Sequence, residues 1–115
     1  MYALFVVLNA VDYLEDILTG FLDKGIKGAT IVESQGMGKV IANSNNDDIP
    51  MFGALRMLLQ DSHPYSKTIF TVLENEEMVD TAVGVVQDAM EYCSTGNYGF
   101  MFTVPIGKVY KMCRD

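Results

Sequence analysis

Two clusters in this chain carry residue types that can hold an anion. Gly36-Met37-Gly38-Lys39 joins two glycines, whose backbone can turn amide N–H groups toward a negative charge, to a cation. Lys108, Lys111 and Arg114 put three of the eight basic residues into the last eight positions. Ammonium and guanidinium groups spaced in this way suit a phosphate or a carboxylate. They equally suit a solvated basic tail, and composition does not choose between the two. Other chemistry is thinner. His63, the sole histidine, stands beside Pro64 with no Ser, Cys or paired carboxylate at a recognisable spacing, so it reads as a loop residue rather than a general base. Asp47-Asp48, in an asparagine-rich run, lack the ligand number of a calcium or magnesium site. Cys93 and Cys113 make neither a Cys-x-x-Cys pair nor a disulfide framework. The residues point to a binder rather than an enzyme, with no metal and no required cofactor.

The elements that must position these groups can be read from the hydrophobic pattern. With 115 residues, half of them hydrophobic, the chain has enough apolar material for one two-layer domain. The longest apolar run, Ala3 to Leu8, is far below a membrane span, and no basic leader pattern precedes it. A cytoplasmic protein is therefore expected. A formal charge of −7 argues against nucleic acid as a partner, because a backbone binder needs a basic face.

"YALFVVL" is apolar on both faces and reads as a central strand. Leu14, Ile17, Leu18, Phe21 and Leu22 then recur at helical spacing, with Lys24 in the last turn and Gly25 as the C′ glycine. "GATIVES" is a second strand and "KTIFTVL" a third, ending at Asn75, which can cap a helix that carries Glu76 and Glu77 in its first turn. Val79, Ala82, Val83, Val86 and Met90 line one face of that helix. "GFMFTVPI" is a fourth strand, and "KVYKM" a short fifth. Two β-α-β halves predict an α+β, ferredoxin-like sandwich: an antiparallel sheet with both helices on one face. Val6, Leu8, Phe70, Val72, Phe102 and Val104 alternate with equally apolar neighbours, so the other face needs cover as well. The chain has no third layer to supply it, which predicts an oligomer.

Between the second and third strands runs a long insertion, about residues 38–62, inside a single domain spanning 1–115. Its polar part, from about Val40 to Asp48, lacks apolar residues to offset the entropy of ordering and is expected to be mobile without a ligand. Pro50 to Gln60 carries Met51, Leu55, Leu58 and Leu59 as an apolar stripe and predicts a short amphipathic helix. That stripe suits packing on its own domain or docking on a partner. Long loops of this kind are more often functional or disordered than idle.

Four stretches in order resemble the PII signal-transduction family, and the likeness runs through most of the chain. "DYLEDILTGFLDKGIKGATIVESQGMGK" is similar to the family's first helix and second strand, with Gly28-Ala29-Thr30 and Gly36-Met37-Gly38-Lys39 at its motif positions. "KTIFTVLENEEMVDTAV" is similar to the third strand and second helix, and "TGNYGFMFTVPI" to the stretch that carries the B-loop. The resemblance implies a homotrimer that binds adenine nucleotides in clefts between subunits. It makes the insertion a T-loop, the arm that reaches a protein partner such as a transporter or metabolic enzyme in nitrogen or carbon metabolism. By position it implies Thr30, Gly36, Met37, Gly38 and Lys39 on one wall of the cleft, with Lys67 as the cleft lysine. Gly96 and Gly99 fall in the B-loop, and Lys111 with Arg114 stand near the family's C-terminal arginine pair.

The departures from the family pattern shape the expected ligand. Gly99 passes directly to Phe100-Met101-Phe102, without the Asp-Gly-Lys that grips terminal phosphates. A missing charge-assisted contact forfeits about 1.5–3 kcal/mol, which favours a nucleotide with few phosphates, of the AMP or ADP type, over ATP. Val40 stands where the family has the glutamine used for ATP-Mg and 2-oxoglutarate, and residues 39–62 contain no tyrosine to be uridylylated. The competing reading is an ACT-like or other ferredoxin-fold sensor of a small metabolite. The Gly-Met-Gly-Lys loop base and the basic tail speak for a phosphorylated ligand instead.

Overall fold

A strand that is apolar on both faces belongs in the middle of a sheet, and Tyr2–Leu8 (β1) is paired along both edges. The computed structural model describes residues 1–42, 65–93 and 96–114. After β1 come a 3-10 turn at Val11–Tyr13, helix α1 (Leu14–Asp23), strand β2 (Ala29–Ser34) and a short helix α2 (Met37–Ala42). Strand β3 (Ser66–Leu73), helix α3 (Glu76–Ala89) and strand β4 (Gly99–Pro105) complete the second half. The four strands form one antiparallel sheet in the order β2-β3-β1-β4. This is the α+β, ferredoxin-like sandwich that the pattern predicts.

Both helices cover the same face. Leu4, Val6 and Leu8 of β1 and Ile69 and Leu73 of β3 pack against Ile17 and Phe21 of α1 and Ala82, Val85 and Val86 of α3. Each of these large side chains contributes about 1.5–3 kcal/mol on full burial. α1 ends as its sequence requires. Gly25 takes φ +83, the Gly25 N–H donates to the Leu22 carbonyl and the Ile26 N–H to the Phe21 carbonyl, so two orphan carbonyls are satisfied by one left-handed residue. Ile26 and Phe21, the flanking apolar pair of that motif, are both buried. α3 begins at Asn75, whose side-chain oxygen accepts from the Met78 N–H at 2.8 Å. The two helices approach closely at Gly20, where an added Cβ would lie 2.6 Å from Val85 Cγ1.

Several expectations are corrected. Val6 and Leu8 face the helices, whereas Phe70, Val72, Phe102 and Val104 lie on the uncovered face as expected. Parity could not be read along β1 because both of its faces are apolar; the register with β3 and β4 decides it. Leu22 is 61 % exposed, since the buried line of α1 runs through Ile17 and Phe21 and Leu22 falls beyond its edge. Val85 is buried on α3, while Val79 and Val83 are only partly so. In β2, Thr30 through Glu33 are exposed, because this edge strand makes few contacts with the helices. No fifth strand forms over 108–112, which has strand-like composition but no ladder partner among the described residues. Residues 37–42 are helical, where a glycine-supported turn is expected over 36–39. Gly36 and Gly38 adopt negative φ here, and Met, Lys, Ile and Ala supply enough helix propensity to carry the turn. The rest of the stretch expected to be mobile, to Asp48, and the helix expected over Pro50 to Gln60 lie outside the described residues.

Candidate functional site

One row across the sheet organises the site. Glu33 of β2 pairs with Lys67 of β3, Lys67 with Leu8 of β1, and Leu8 with Gly99 of β4. This row marks the end of the sheet at which the insertion leaves and returns. Lys67 and Gly99 therefore stand at one level on either side of β1. The tail leaves from the other end: Pro105 pairs with Tyr2, and the Ile106 N–H donates to the Met1 carbonyl at 2.9 Å. The two levels are about 20 Å apart along β1, at roughly 3.3 Å per residue.

A polar cleft of about 590 Å³ opens beside this row, lined by Val11, Glu33, Ser34, Gln35, Tyr65, Ser66 and Lys67. Its wall is ordered by hydroxyl groups. The Ser66 hydroxyl donates to the Ser34 carbonyl at 2.8 Å, so the 2.9 Å contact between Ser34 Oγ and Ser66 Oγ takes its proton from Ser34. Thr68 Oγ1 in turn donates to Ser34 Oγ at 2.9 Å. This relay clamps the two strands where the insertion departs, and Ser66 is buried by it. Lys67 Nζ lies 3.9 Å from Glu33 Oε1, with the lysine side chain 34 % exposed and the glutamate 89 %. A pair this long and this wet contributes little to stability, about 0–1 kcal/mol. Its importance is that it sets the charge of the cleft.

The turn over 96–99 is held by Asn9. Its backbone N–H donates to the Tyr98 carbonyl at 2.9 Å and its side-chain amide to the Asn97 carbonyl at 3.3 Å. Gly99 takes φ +135, and a Cβ added there would run into the Val7 carbonyl, so no side chain fits. Beneath this turn lies an apolar cavity of about 190 Å³, lined by Leu8, Met90, Cys93, Tyr98, Gly99 and Met101 among others. No cation lines it among the described residues. The pKa of the Tyr13 phenol is raised above its ordinary value, first by a hydrogen bond to Cys93, which lines this cavity.

The candidate residues divide accordingly. Lys67 and Gly99 share the row, and Gly96 sits three residues before Gly99, its Cα facing the Tyr98 ring. Gly36 and the helical Met37, Gly38 and Lys39 follow β2 at the same end, with the Val40 N–H donating to the Gly36 carbonyl at 3.3 Å. Thr30 lies three residues below Glu33, opposite Phe70 on the sheet face that the helices leave open. Lys111 and Arg114 are exposed in the irregular tail that begins at the far end. Sequence reasoning missed Ser34, Ser66 and Thr68; Glu33 stands on an edge strand with its side chain exposed. The available signal was two serines closing the strands that flank the insertion.

No family model and no curated protein matches the sequence. Among solved structures, the chain superposes on the crystal structure of Arabidopsis thaliana PII bound to citrate with a TM-score of 0.63. The alignment has 14 % identity and covers 96 % of this chain and 81 % of that one. At this identity the likeness establishes the fold. The chain has a divergent PII-like fold. Among the described residues no helix is long and apolar enough to cross a membrane, and no group of three or more His, Cys, Asp or Glu could hold a metal ion.

Proposed function

We propose that this chain is the subunit of a trimeric PII-like regulator rather than an enzyme. It senses a small effector, an adenine nucleotide with few phosphates, in clefts between subunits. It controls a protein partner in nitrogen or carbon metabolism through the arm at residues 38–62, and it works in the cytoplasm. The observation that carries the reading is the split of the basic groups between the two ends of the sheet. Lys67, the base of the insertion and the Gly96–Gly99 turn share one end, whereas Lys111 and Arg114 follow the strand that exits at the other. A site that uses both sets is most simply closed by the tail of a neighbouring copy. The uncovered apolar sheet face gives copies of the chain a reason to associate.

Calorimetric titration of the purified protein with AMP, ADP and ATP tests the ligand class. Citrate, present in the matched Arabidopsis structure, belongs in the same series as a small polycarboxylate. Saturable binding of AMP or ADP, tighter than that of ATP, is the expected result. Absence of binding by every adenine nucleotide at millimolar concentration overturns the nucleotide reading.

A further inference from the structure

The structure assigns Glu33 as a charge-selecting residue of the polar cleft: its carboxylate offsets Lys67 and so denies a more highly charged anion the affinity that an unpaired lysine would give it. The inference rests on the reading of this cleft as an anion site and deepens it. Glu33 and Lys67 are partners in the β2–β3 register and both line the cleft, with Nζ and Oε1 3.9 Å apart. The described side chains of the lining thus supply one positive and one negative charge, while Ser34, Gln35, Ser66 and Tyr65 supply polar atoms without charge. An anion that reaches Lys67 also feels the Glu33 carboxylate beside it. For a singly charged group the two nearly cancel, and hydrogen bonds decide the outcome. Each further negative charge on the ligand is attracted by Lys67 and repelled by Glu33 in nearly equal measure, so extra charge gains little affinity while the carboxylate is present. Glu33 is 89 % exposed, so water and salt reduce the effect without removing it.

The backbone fixes this arrangement. Adjacent partners on antiparallel strands hold their Cβ atoms within about 5.5 Å, and the Ser34–Ser66–Thr68 relay locks that register one residue away. The lysine cannot escape its partner by a slip of the strands, so Glu33 acts on every ligand that Lys67 contacts.

The test is titration of AMP, ATP and inorganic tripolyphosphate into the wild-type protein, Glu33→Gln and Glu33→Asp, in magnesium-free buffer at two salt concentrations. Removing one carboxylate near a solvent-exposed anion is expected to tighten binding about threefold per unit of ligand charge. Glu33→Gln should therefore raise the ATP-to-AMP affinity ratio several-fold, more at low salt, and Glu33→Asp should keep the wild-type ratio. A residue with only a structural role would change both affinities alike. AMP binding with an unchanged ratio in Glu33→Gln overturns the role of Glu33 and leaves the nucleotide reading intact. If no nucleotide binds but tripolyphosphate binds more tightly to Glu33→Gln than to wild type, the nucleotide reading fails and the role of Glu33 stands. If neither nucleotide nor tripolyphosphate responds, both fail.

Discussion

Phe5 and Phe102 stack across β1 and β4, with ring centroids 5.0 Å apart and planes 7° from parallel, on the sheet face that neither helix covers. Phe70 joins Phe5 from β3 at 5.7 Å and Phe100 extends the array at 6.0 Å from Phe102. A contiguous apolar surface of this kind is suited to contact with another surface. The proposed trimer buries it. Phe102→Glu places a charge in the centre of that surface, where it would be desolvated without a partner. Sedimentation equilibrium at micromolar concentration should show a trimer for wild type and a monomer for Phe102→Glu, with unchanged far-ultraviolet circular dichroism. A monomeric wild type contradicts the proposal.

Gly99 carries a different constraint. Its φ of +135 and the proximity of the Val7 carbonyl leave no room for a Cβ. Gly99→Ala should therefore lower stability by about 1–3 kcal/mol, the cost of a non-glycine residue in such a backbone conformation. Urea denaturation at fixed protein concentration measures this, since association shifts the midpoint as well. Gly20→Ala provides a contrast within α1. Gain of helix propensity, about 1 kcal/mol, opposes overpacking against Val85, about 1–3 kcal/mol, so a smaller net loss is expected there.

The phenol of Tyr2 donates to Glu76 Oε1 at 3.1 Å, joining β1 to the first turn of α3. Its pKa is raised above 10.0, chiefly by this hydrogen bond and then by the Glu76 charge. The proton is thus held more tightly in the folded chain than in the unfolded one. The resulting stabilisation is present in full below pH 10.0 and is lost as pH climbs through the raised value. Thermal unfolding of wild type and Tyr2→Phe between pH 8 and pH 11 should show a wild-type advantage that shrinks at the alkaline end. An advantage that widens with pH would contradict the assignment.

The contrast between what the sequence shows and what it hides has physical roots. Local chemistry was legible: Gly25 closes α1 and Asn75 opens α3 because a left-handed turn and an N-cap each demand particular side chains at one position. Strand existence was legible from β-rich apolar runs. The face of each strand residue was not, because Val6 and Phe5 are equally apolar and only the cross-strand register separates them. The same limit explains the site. Lys67 and Gly99 could be proposed by position, yet the Glu33–Lys67 pair and the Ser34–Ser66 clamp join residues more than thirty positions apart. Spacing along the chain holds no record of such contacts. The helix at 37–42 was hidden for another reason: glycine permits a turn and a helix alike, so Gly36 and Gly38 leave the local choice to their surroundings.

The tail gives the most direct test of how the site is completed. Lys111 and Arg114 are exposed, in irregular backbone beyond β4, and make no part of the described core. Replacing either with alanine should leave the fold and the trimer intact, because neither supports a strand or a helix. If a neighbour's tail supplies the phosphate contacts, each substitution should weaken AMP or ADP binding by about 1.5–3 kcal/mol, tenfold or more. A mixed assembly separates a neighbour's contribution from that of the same chain. Subunits carrying Lys67→Ala are refolded together with subunits carrying Arg114→Ala, and calorimetry counts the sites. Across a subunit boundary, some clefts pair an intact Lys67 with an intact neighbouring Arg114, so a fraction of wild-type-like sites should reappear. Were Lys67 and Arg114 drawn from one chain, every cleft would lack one of them and no such sites would form.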